Sequence, residues 1–488
     1  MENQDKKPNI IAIIGAIVLL VLAVVGLSYA FFSAFIKNGE TDPSIEGTGA
    51  NLSLVYTDGK SVITSSNIMP GWSATKTFTV TNNGEADTYY KLNISNITNE
   101  FVEGGLTFSI ASADGGTSVA EQAVGTTTRT ISPSITIAEG ATHTYTITAK
   151  YVNLDKDQTP DLGKSFSYTI GIEASQKPTF KDIILANNEV KTPITTPGAA
   201  VSTSSEALLA SAEDDYGTSY YFRGAVTNNY VEFANKCWRI VRIGGDNTAK
   251  LILHNDNISN ASNPCSSANN STTAAFVHYD GNIYKSEFNS NYNDNAYVGF
   301  MYGTPGSTTY EATHANTNKS TILTNLETWY NNNLKTYESV IDNNVFCNDK
   351  SLSSGSGYSA NATDYAARER LYTSKIPGLK CNGELSKITS KIGLITADEL
   401  AFAGYAVRGY ITTSYLKENA TGYSWWSLSP AGFYNKSLSY VFRVRSDNDA
   451  IDICNVNVDS SVRPVISLVS SITISGVSGT SEDPYVVK

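Results

Sequence analysis

The sequence predicts a membrane-crossing helix, then an all-β sandwich (Ig-like or jelly-roll), then a larger α+β domain. Three observations carry this. Ile10 to Phe35 holds no charged residue. From Asn51 to about residue 175, short apolar–polar alternations recur between turn residues. All five cysteines, at 237, 265, 347, 381 and 454, lie beyond residue 230, with the best-punctuated helices.

As a helix, Ile10–Phe35 is roughly 40 Å long, enough to cross an apolar core of about 30 Å. It lacks the polar face of an ordinary amphipathic helix. Lys6 and Lys7 precede it; Lys37 follows, then Glu40 and Asp42. The slight positive bias leaves residues 1–9 as a cytoplasmic tail and exports the rest. The alternative is secretion after cleavage near Ala30, because Ser28 and Ala30 have cleavage-site spacing. The run exceeds the roughly 7–15 residues of a signal core, which favours a retained anchor across residues 10–36.

The formal net charge is −11 and the pI about 5.0. This argues against nucleic-acid binding, which needs clustered Lys and Arg. Only 17 % of residues are charged, while Asn, Ser, Thr, Gly and Tyr abound. Such a polar, uncharged surface suits adhesive or carbohydrate-facing proteins.

Residues 37–50 form a spacer and residues 51–175 the sandwich. Leu52, Leu54 and Tyr56 alternate up to a turn at Thr57–Lys60. Met69-Pro70-Gly71 turns the chain into Thr75–Thr81, where Phe78 and Val80 alternate. Tyr90, Leu92 and Ile94 follow, then Tyr145 and Ile147, then Phe166, Tyr168, Ile170 and Ile172. Ser28–Phe32, the strand Asn51–Tyr56, Pro70-Gly71 and Thr75–Glu85 together resemble the camelysin and biofilm-fibre proteins of Gram-positive bacteria. The resemblance covers residues 20–175 and implies an exported β-sandwich with possible self-assembly. Camelysin's metallopeptidase activity does not carry over. His143 is the region's one histidine, expected as an exposed strand residue, and there is no cysteine or HExxH.

Residues 176–212 read as a linker broken by Pro178, Pro193 and Pro197-Gly198, with a short helix after Thr179. Residues 213–488 form the last domain. Cys237–Ile243 and Ala249–His254 make a hairpin about Gly244-Gly245-Asp246. Ser320–Leu334 is a helix with Leu323, Leu326, Trp329 and Tyr330 on one face. A Gly/Ser loop, Ser351–Ala360, reads as disordered. Thr396 and Glu399 form a capping box, and Gly404 stops the helix that follows. Trp425–Pro430, strands Ser439–Arg445 and Ala450–Val458, and Val462–Leu468 complete the domain, with one tryptophan of Trp425-Trp426 in the core. The W-R-I-V-R strand, W-W-x-L-S-P and V-R-P-V-I-S-L resemble bacterial surface domains related to C-type lectins and formylglycine-generating enzymes. In the ligand-binding relatives the last hairpin carries the contact residues.

That resemblance implies ligand contacts from Phe433, Tyr434, Asn435, Tyr440, Asn455 and Asn457, Tyr and Asn being suited to sugar or protein contacts. The turn at Asp447, Asn448 and Asp449, with Asp452, offers at most four of the about six to eight oxygens that Ca²⁺ takes. A hairpin turn accounts for it. No GxSxG, HExxH or CxxC occurs, and the four histidines are isolated. A formylglycine-type oxidase needs a cysteine pair near the C-terminus, where Cys454 stands alone. No enzyme, cofactor or metal is expected.

Export permits disulfides. Cys347 with Cys381 would close a loop of about 35 residues, worth roughly 3–4 kcal/mol in the chain-entropy model. Cys237 and Cys265 return to one another after the hairpin, leaving Cys454 odd. The expected protein is a single-pass surface protein of a Gram-positive-type bacterium whose last domain binds an extracellular glycan or protein. The alternatives are a fibre or matrix subunit and, further off, a metallopeptidase or oxidase.

Overall fold

The computed structural model describes residues 54–58, 68–84, 86–175, 178–409, 413–435, 437–472, 474–475 and 478–487. The expected tail, anchor (Ile10–Phe35) and spacer lie outside them. Among the described residues no helix is long and apolar enough to cross a membrane. The chain divides into two compact units between Pro178 and Thr179.

The first unit contains β1 (Leu54–Asp58), β2 (Trp72–Asn82), β3 (Thr88–Asn99), β4 (Leu106–Ser112), β5 (Val119–Ala123), β6 (Arg129–Ile137), β7 (Thr142–Tyr151) and β8 (Phe166–Ser175). They make an antiparallel five-stranded sheet, β1-β2-β7-β4-β5, and a three-stranded one, β6-β3-β8. The period-2 alternation sends Phe78, Val80, Leu92, Ile94 and Ile172 into one core shared by both sheets, so the unit is a β-sandwich. His143 is not exposed as expected. It is buried on β7, where its Nδ1 lies 2.8 Å from the Tyr90 hydroxyl, which also meets the Tyr145 hydroxyl at 2.6 Å.

The second unit begins with α1 (Phe180–Asn187), capped by Thr179 and Asp182. Phe180 and Ile184 enter its core. Strands β9 (Ala207–Asp214), β10 (Gly217–Gly224), β11 (Tyr230–Phe233), β12 (Lys236–Ile243) and β13 (Ala249–Asn255) follow. The linker expectation for residues 176–212 is therefore corrected: this segment belongs to the folded unit from Thr179 onward. Arg223 explains why. Fully buried, it donates from Nε to Glu206 (2.6 Å), from Nη1 to the Ala401 and Phe402 carbonyls, and from Nη2 to those of Thr195 and Ala199. Gly224 takes φ +76°, and a Cβ there would fall 1.7 Å from the Glu206 carbonyl oxygen.

Helix α2 (Thr321–Asn333) starts at its Ser320 cap and buries Leu323, Leu326, Trp329 and Tyr330. The Gly/Ser loop is not disordered. Within it β14 (Leu352–Gly355) pairs with β15 (Thr363–Tyr365). Helix α3 (Ala397–Phe402) has the Thr396–Glu399 capping box. Then come β16 (Trp425–Tyr434), β17 (Leu438–Val444), β18 (Ile451–Asn455), β19 (Val465–Leu468) and β20 (Tyr485–Val487). One sheet runs β19-β13-β12-β11-β20, with β10 also paired to β12 and β9 paired to β10. The other contains β14 through β18 as successive neighbours. Trp425 and Trp426 are both fully buried. Disulfides join Cys237 to Cys265 and Cys347 to Cys381, and Cys454 is free and buried.

His314 occupies a polar part of the core. His314 is buried, with Nε2 2.8 Å from the Gly357 carbonyl and 3.3 Å from the Tyr365 hydroxyl. Burial, then the nearby Lys350 ammonium, pushes its pKa down to about 3.

Two outcomes follow. Arg223→Met strands the Glu206 carboxylate inside the protein, so denaturant unfolding should show a loss of about 3–5 kcal/mol. An unchanged midpoint contradicts the assignment. His314 is neutral in the folded state above pH about 3, while an unfolded histidine takes its proton near pH 6.5. The unfolded state thus binds more protons in that window, and stability falls as pH drops from about 6.5 to about 3. His314→Asn should flatten this slope by up to one proton in denaturation curves taken across the window. An unchanged slope means another group carries it.

Candidate functional site

The closing sheet is set by its punctuation. Pro430 in β16 lacks a ladder donor, and the register with β17 shifts on both sides of it. Asn435, at φ +54°, turns β16 into β17. In β17–β18, Tyr440 faces Asn455 and Arg443 faces Asp452.

This geometry gathers a half-buried aromatic face. The Tyr434 and Tyr440 rings lie 5.3 Å apart. Tyr372 packs on Phe442 at 6.1 Å. The Arg368 guanidinium sits 5.3 Å from the Tyr372 ring and 5.4 Å from the Tyr434 ring, and exposed Arg408 lies 5.3 Å from Tyr372. Tyr434 donates its hydroxyl to Asp364 (2.7 Å), which also pairs with Arg368 at 3.3 Å. Burial, then the hydrogen bond to Asp364, raises the Tyr434 pKa well above the phenol range. Burial and the neighbouring Asp452 push Tyr372 up to about 12. Both hydroxyls therefore stay protonated donors at neutral pH. Aromatic faces with flanking guanidiniums stack on sugars or anchor a protein partner.

The expected contact residues separate into groups. Tyr434, Asn435 and Tyr440 come together at the surface, with Asn455 half-buried opposite Tyr440. Asn457 is half-buried just beyond β18, its backbone N–H directed at the Asn455 side chain. Phe433 is corrected: it is fully buried, because the pleat turns it away from Tyr434's side. Cys454 also points inward from β18, and burial raises its thiol pKa, so it is no surface nucleophile.

The Asp447–Asp449 turn is closed by its own neighbours. Asp447 pairs with Arg445, Asn448 accepts from the Ala450 N–H (3.1 Å), and Asp449 pairs with Lys417 (2.9 Å). Among the described residues no group of three His, Cys, Asp or Glu is placed to hold a metal.

Sequence reasoning missed Asp364, Arg368, Tyr372 and Arg408. The first three stand four residues apart in D-Y-A-A-R-E-R-L-Y, one face of a helical turn. That spacing is the signal that could have found them. No family model matches this chain, and no match was found among curated proteins.

Proposed function

We propose that this chain is an exported, membrane-anchored surface protein whose second unit binds an extracellular glycan or protein. The observation that carries this is the convergence of Tyr372, Tyr434 and Tyr440 with Arg368 and Arg408 on one solvent-facing sheet surface. Tyr and Arg are the residues that dominate recognition energetics. Two disulfides fit an oxidising, extracytoplasmic compartment. The uncharged run Ile10–Phe35 supplies the anchor, and the β-sandwich serves as a stalk. The C-type-lectin-like reading of the second unit rests on its sequence resemblance, and the aromatic face on its closing strands agrees with it.

One observation favours the alternative of a fibre or matrix subunit. The three-stranded sheet ends in two long edge strands, β6 and β8, whose outer edges offer backbone groups for pairing with another chain. An enzymatic reading gains nothing from the face, which holds no nucleophile beside a base.

The test is a glycan and protein array probed with residues 179–488, which have their own core. A ligand should bind, and Tyr434→Ala with Tyr440→Ala should weaken it by about 30-fold, the scale of a hot-spot truncation of about 2 kcal/mol. A ligand indifferent to both substitutions removes the face from the account. No ligand, with polymerisation of the whole protein, favours the fibre.

A further inference from the structure

A separate cleft in the second unit has a different chemistry. Its floor is formed by Arg242 on β12, Lys250 on β13 and Glu399 in the first turn of α3. Asp215, Tyr216 and Asp246 lie at its rim, with Tyr216 54 % exposed. The cavity volume is about 40 Å³. A water-sized group needs roughly 10–15 Å³ on this measure. The interior therefore takes about three such groups, the size of one carboxylate.

Hydrogen-bond accounting says what the floor lacks. Glu399 Oε1 accepts from Arg242 Nε (3.0 Å) and Lys250 Nζ (2.6 Å), and Oε2 accepts from the Thr396 N–H (3.0 Å). Asp214 accepts from Arg242 Nη1 (2.8 Å) and the Gly245 N–H (3.0 Å). Arg370 is consumed by Asp398 and Asp349. The acids are thus occupied, but the donors are not. Among the described residues, Lys250 Nζ has one hydrogen-bond partner for three protons, besides the Phe346 ring 5.2 Å away, although the residue is 95 % buried. Arg242 bonds through Nε and Nη1, leaving Nη2. Ser429 accepts from the Ala397 N–H and keeps its own proton. A carboxylate supplies the acceptors this floor lacks.

Charge says what must accompany that carboxylate. The lining holds six carboxylates and four cationic side chains, a formal excess of two negative charges. A bare anion meets that excess unfavourably; a ligand carrying its own cation does not. The rim is suited to the cation. Asp215 accepts from the Cys381 N–H, and Asp246 from Thr248 and Asn344. Among the described residues neither has an ion-pair partner. The Tyr216 ring beside them adds a face for an ammonium.

We propose that this cleft binds a free α-amino acid, its carboxylate inward on Lys250 and Arg242 and its ammonium at the rim among Asp215, Asp246 and Tyr216.

The test titrates the full chain with single free amino acids, and with acetate and ethylammonium as half-ligands, at fixed pH and ionic strength. At least one amino acid should bind tighter than either half-ligand by about tenfold or more. Tyr216→Ala and Asp246→Asn, both at the rim, should weaken the amino acid without weakening acetate. Lys250→Met should abolish both. If Lys250→Met fails to fold, the rim variants and half-ligands still decide. Binding of no amino acid, acetate binding as tightly as any amino acid, or rim variants without effect overturns the proposal.

Discussion

Buried backbone without regular pairing still needs hydrogen-bond donors for its carbonyls, and in the second unit buried guanidiniums supply them. Arg223 serves four carbonyls and Glu206. Arg239 donates to the Val226 carbonyl, Asn229 and Glu418 and lies 3.7 Å from the Tyr230 ring. Arg463 donates to the carbonyls of Leu253 and Leu416 and lies 5.1 Å from the Trp425 ring. Arginine fits this role because five donors leave one planar group in a fixed fork. The charge is costly to bury. Burial lowers the Arg463 pKa to about 10, which still leaves it charged at neutral pH.

The same logic joins the charged interior to the tyrosine face. Residues 369–374 form a π-helical turn following Ala366–Arg368. Arg370, in that turn, is held inside by Asp349 and Asp398. Arg368, two residues earlier, and Tyr372, two later, lie on the tyrosine face. A wide turn of this kind re-aims side chains and recurs at functional sites. The ion pairs of Arg370 thus hold the segment that presents Arg368 and Tyr372. For the binding role proposed above, rigidity matters there, since a preordered face would lose less entropy on binding.

Where the physics is local, the sequence was a good guide. Period-2 alternation marked the sandwich strands, and the caps Ser320 and Thr396 marked α2 and α3. Composition misled where tertiary partners decide. Pro and Ser between residues 193 and 205 report the lack of regular pairing, not the lack of fixed structure, and the donor that fixes the segment, Arg223, comes later in the chain. Phe433 was misjudged because the shifts around Pro430 decide which side chains face outward. Half of the tyrosine face was missed because Arg368 and Tyr372 stand more than 60 residues before Tyr434.

The central claim is that buried Arg223 makes residues 193–206 part of the folded core. Amide hydrogen exchange tests it directly, because Val201 N–H donates to the Gly404 carbonyl (3.0 Å) and Ala199 N–H to that of Thr196 (3.0 Å). The account predicts that Val201 exchanges as slowly as the amides of β12, through opening of the whole unit. Exchange of this segment at the rate of an unstructured peptide, with β12 still protected, would contradict it.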